Sequence, residues 1–151
     1  MKDSSTDDMQ DIQGHIRQPV AHDSAVGHVS GTAKYIDDLA MPANTLELLI
    51  AQSPHAHARI LDMDLDAVRA ADGVVKVLSA QDIPGINDCS PLAGDDPVFA
   101  EDIVSYAGQS IFAIAATDMA SARAALAHAR ISYEPLPAIL TIDEAMAAGS
   151  F

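Results

Sequence analysis

Apolar and polar positions along the chain change period several times, and each change marks an element. Ile111-Phe112-Ala113-Ile114-Ala115-Ala116 is apolar at consecutive positions, as expected of a strand covered on both faces. Thr117 or Asp118 then caps a helix predicted to run to about Arg130, with Met119, Ala122, Leu126 and Ala129 along one stripe. His128 and Arg130 fall in its last turn, where the negative end of the helix dipole favours cations. Ile131-Ser132-Tyr133-Glu134 alternates as a strand and stops at Pro135-Leu136-Pro137. Strand, helix and strand in that order predict a right-handed crossover between parallel strands near residues 110–136.

The earlier half is patterned more weakly. Leu46 to Ala51 is an apolar run of strand length halted by Ser53-Pro54. From Ala58 to Leu65 the pattern alternates, with Leu61, Met63 and Leu65 on one face and Asp62 and Asp64 on the other. Asp66 to Ala71 is one or two helical turns, capped by Asp64 or Asp66 and released by Gly73. Val74 to Leu78 is another strand, and Ala80 to Pro84 a short helical turn. Asn87 to Pro97 holds two prolines, Gly94 and an acidic pair, so it reads as a loop. Gly27 to Asp38 reads as a turn-rich entry, Pro42-Ala43-Asn44 as a turn, and Asp143 to Ala148 as a last helix ended by Gly149. Residues 1–21, polar, acidic and aperiodic, read as a disordered leader ahead of one folding unit, 22–151. The class is α+β: a mixed sheet of about five strands with two or three helices.

Composition narrows the function. The 151 residues carry 22 acidic and 8 basic side chains, a net charge of −14, which repels phosphate backbones and anionic lipid, so neither nucleic acid nor membrane is expected as a partner. One cysteine excludes an internal disulfide and a cysteine-based zinc cluster. No apolar run reaches bilayer length and the first residues hold no signal-peptide core. A cytoplasmic acidic domain is the expectation.

Candidate chemistry is sparse. His55 and His57, two apart on an extended segment, share a face and have the spacing of two metal ligands, but sequence positions no third. The pairs Asp37-Asp38 and Asp95-Asp96 lack the alternating acids and glycine of a calcium loop. Cys89 has no Lys or Arg between Lys76 and Arg123 to stabilise a thiolate. No Gly-x-Ser-x-Gly elbow and no glycine-rich phosphate loop occurs. The residues therefore nominate no catalytic, cofactor-binding or metal residue.

Eight stretches in order carry a family resemblance: His22-Asp23-Ser24-Ala25; His28 to Asp38; Pro42-Ala43-Asn44-Thr45-Leu46; Ala56-His57-Ala58-Arg59-Ile60; Gly73-Val74-Val75; Asp82 to Asp88; Tyr106-Ala107-Gly108-Gln109; and Tyr133 to Ala138. Together they resemble the N-terminal α/β hammerhead domain of the molybdenum-cofactor subunit in the xanthine dehydrogenase and aldehyde oxidase family, of the bacterial xanthine dehydrogenase kind. The opening block and Asp82-Ile83-Pro84-Gly85-Ile86-Asn87-Asp88 look more like the purine-oxidising branch. Ser110 departs from the pattern, since many relatives have proline there.

The resemblance implies an α/β hammerhead fold and a parent oxidoreductase of purine metabolism. Such a parent hydroxylates hypoxanthine and xanthine with oxygen from water. It passes electrons from molybdenum through iron–sulfur clusters and FAD to NAD. The molybdopterin is implied in domains downstream of this one, and the clusters and FAD in a partner subunit. The hammerhead itself is implied to be non-catalytic, with those downstream domains and that subunit as its partners. An isolated copy is expected to expose a docking patch and self-associate. Two alternatives stay open: a free-standing interaction or assembly module without enzymatic activity, and a small independent hydrolase or metal-dependent enzyme using His55, His57 and acidic residues. The chain is read as either a truncated gene product or an excised domain.

Overall fold

The computed structural model describes residues 22–92 and 94–150. The expected acidic leader, residues 1–21, lies outside them. The chain divides into two units at Met41/Pro42. The described part of the first holds α1 (Ala25–Ser30), closed by Gly31 at φ 72°, and a 3-10 turn at Ile36–Asp38 whose Asp38 carboxylate accepts the Tyr35 amide at 3.0 Å. The sequence predicted turns throughout this entry. Gly27 masks α1, which buries none of its residues and so shows no apolar stripe.

The second unit begins with the Pro42 turn, where Asn44 takes φ 71° and the Thr45 amide reaches the Pro42 carbonyl. Its elements are β1 (Glu47–Gln52), β2 (Ala58–Asp64), α2 (Asp66–Arg69), β3 (Val74–Ser79), β4 (Ile103–Val104), β5 (Ser110–Ala116), α3 (Met119–Leu126), β6 (Arg130–Pro135) and α4 (Ile142–Ala148). They form two antiparallel three-stranded sheets, β1-β5-β3 and β4-β2-β6. The α+β class holds, as does the strand–helix–strand order over residues 110–136. The pairing corrects the single mixed sheet and the parallel crossover. β5 is occupied on both edges by β1 and β3, so the chain leaving α3 pairs with β2 in the other sheet.

The core gathers on the first sheet, whose central strand β5 is buried on both faces. Leu49 and Val77 both stand opposite Ile114, and Ala51 and Ser79 opposite Phe112. α3 packs there through Ala122 and Ala125, and Val68 of α2 joins the same cluster. Asp118 caps α3 by accepting the Ser121 amide at 2.8 Å. The helix ends at Leu126, shorter than predicted. His128 follows in a looser turn, and Arg130 already belongs to β6.

Gly73 is required by its surroundings. It takes φ +79°, its carbonyl accepts the Thr117 amide at 2.8 Å, and an added Cβ would lie 2.6 Å from Ser121 Oγ.

β2 departs from strict alternation. Its register slips between Ile60, opposite Tyr133, and Asp62, opposite Ser132. Leu61 is the extra residue of that bulge and is 60% exposed, while Ile60 and Met63 both pack on the core. The expected grouping of Leu61 with Met63 is therefore reversed.

Candidate functional site

Three segments far apart in sequence meet at one end of the second sheet. β2 starts at Ala58, which pairs with Val104, the last residue of β4, and with Pro135, the last of β6. Beyond these strand ends, Ala56 and His57, Ser105 to Ala107, and Pro137 to Leu140 line an open groove of about 510 Å³. Local sequence dictates each wall. Pro135 and Pro137 cannot continue a ladder. Gly108 turns the chain at φ 93° between β4 and β5. Ser53 brackets Pro54, its hydroxyl accepting the His55 amide at 3.0 Å and donating to the His55 carbonyl at 3.1 Å.

The walls are tied together by few, well-placed bonds. His57 Nδ1 donates to the Pro137 carbonyl at 2.6 Å, and the Leu136 amide donates to the His57 carbonyl at 3.0 Å. Because a carbonyl only accepts, it is Nδ1 that carries the proton of this hydrogen bond. Gln109, 4% exposed, accepts the Ser105 amide through Oε1 at 2.7 Å. Its backbone carbonyl takes the Ser53 amide at 2.9 Å, and the Gly108 amide reaches the Ser53 carbonyl at 2.8 Å. At the rim, Glu144 accepts the Leu140 and Thr141 amides at 2.9 and 3.0 Å. The Leu140 bond, followed by those of Thr141, holds the Glu144 carboxyl below its ordinary range.

The two candidate ligands His55 and His57 have separate partners. The His55 ring lies tilted against Tyr133, centroids 4.7 Å apart, and burial pushes the Tyr133 phenol up. No group of three His, Cys, Asp or Glu gathers around either histidine among the described residues. Cys89 donates to the Asp96 carbonyl, and its thiol is pushed up by burial and then by the Asp96 charge. Asp88 organises the Cys89 loop by accepting the Ser90 amide and hydroxyl and the Asp96 amide, the Ser90 amide doing most to lower its carboxyl. The Asp37-Asp38 pair serves a turn. The structure thus brings together the Ala56, Tyr106 and Pro135 motif stretches, not the titratable candidates. Sequence spacing missed the groove, whose only local signal is a proline or glycine beside each strand end.

Comparison with known proteins follows the same lines. A family model described as aldehyde oxidase and xanthine dehydrogenase, a/b hammerhead domain, matches residues 30–137. The chain is similar to xanthine dehydrogenase of Oryza sativa subsp. japonica, 41% identical over 136 residues, 90% of this chain and 10% of that protein. It is 35% identical over 146 residues to aldehyde oxidase 3 of Rattus norvegicus, 96% of this chain and 11% of the relative. Among solved structures, the aldehyde oxidoreductase of Desulfovibrio desulfuricans superposes with a TM-score of 0.73 at 32% identity, covering 85% of this chain and 16% of the other. A Cu,Mo-CO dehydrogenase gives 0.70 at 31%, covering 84% and 16%. The chain spans about a tenth of the length of the curated relatives it matches.

Proposed function

The chain belongs to the aldehyde oxidase and xanthine dehydrogenase family through its a/b hammerhead domain, and from that premise we propose that it is a structural, non-catalytic domain of a xanthine dehydrogenase molybdenum subunit. Its domain extends over residues 22–151, with the main compact unit starting at Pro42, and its partners are the cofactor domains of the same enzyme and the iron–sulfur and FAD subunit. That enzyme hydroxylates hypoxanthine and xanthine and works in the cytoplasm. The observation that carries the reading is the family match over residues 30–137 in a chain one tenth the length of its relatives. The purine branch is supported by a slightly higher identity to the rat xanthine dehydrogenase/oxidase, 37%, than to the rat aldehyde oxidase 3, 35%. No helix among the described residues is long and apolar enough to cross a membrane.

The groove offers a resident molybdopterin no cation. Its phosphate calls for cations or a cradle of free amides, whereas the groove lining contains neither Lys nor Arg. The Leu140 amide is taken by Glu144 and the Ser105 amide by Gln109. His57 Nδ1 is held by the Pro137 carbonyl. No chemical step is assigned to this domain.

The test uses the parent enzyme. Its cofactor-binding region, expressed without residues 22–150, is expected to lose most xanthine hydroxylation and to recover it when this chain is coexpressed and copurifies. Full activity without the domain, and no association on coexpression, would refute the reading.

A further inference from the structure

We draw no further inference here: the strongest candidate, the exposed apolar rim of the groove formed by Tyr106, Ile139 and Leu140 and continued by Ile142 and Met146 of α4, belongs to the site already described, and nothing in the structure shows what covers it.

Discussion

The central strands of the two sheets have the same hydrogen-bonding plan and opposite relations to solvent. In β5, Ile111, Phe112, Ala113 and Ile114 are each 1% exposed or less. In β2 only Ala58 is buried, Ile60 and Met63 are half-buried, and Arg59, Leu61, Asp62 and Asp64 are exposed. The difference comes from cover, and from pairing that on the β4 side of β2 spans only two residues. α3 lies on the first sheet and touches all three of its strands, with α2 beside it, while no comparable helix contact falls on β4, β2 or β6. Burial concentrates in the first sheet, and the groove opens where the second sheet runs out. One three-stranded layer supplies most of the hydrophobic free energy, and the other supplies surface.

The comparison makes a ranked set of demands on stability. Phe112→Ala empties a fully buried site in β5 and is expected to cost about 3–5 kcal/mol by urea denaturation. Ile131→Ala in β6 removes a half-buried side chain packed on the same cluster, with an expected loss of about 1–2 kcal/mol. Equal losses would mean that the two sheets share the core evenly. Gly73→Ala lies between these, at about 1–3 kcal/mol, because it forces a left-handed backbone and pushes a methyl group into Ser121 at the foot of α3. Ser121→Gly added to it should restore part of the loss, leaving the backbone cost.

The smallest effect is the response to acid. Asp118 is held below the ordinary carboxylate range, first by the Ser121 amide and then by its hydroxyl, and Glu144 by the Leu140 amide. Both groups are harder to protonate folded than unfolded. Their contribution is therefore complete above the ordinary carboxylate pKa of about 4, and it is lost as pH falls through that value toward the lower folded ones. Asp118→Asn should flatten the acid limb of the unfolding midpoint more than Glu144→Gln does, since α3 packs on the core and α4 buries none of its residues. The reverse order would place the cooperative unit on the groove side.

How much of this was legible follows from range. β5, the Asp118 cap, the Gly149 ending and the loop around Asp88 depend on neighbours within a few positions, and the pattern there was sufficient. α1 was hidden because an exposed six-residue helix with a central glycine leaves no apolar stripe. The bulge at Leu61 was hidden because alternation assumes one residue per position of the partner strand, and the excess residue is decided by β6, some seventy positions away. The parallel crossover failed for a related reason: local order fixed strand, helix and strand, but which edge was still free depended on β1 and β3. The groove needed all three strand ends at once, so no spacing of His55 and His57 pointed to it.

The buried Gln109 side chain has a dynamic consequence. The Ser105 N–H belongs to no ladder and sits in a turn between β4 and β5, yet its acceptor is an amide oxygen sealed from water and fastened in turn to the end of β1. Deuterium should therefore replace that proton about as slowly as it replaces protons in the sheets, far more slowly than in the loop around Asp88. Gln109→Ala should release it to the fast regime while most amides of β5 keep their protection.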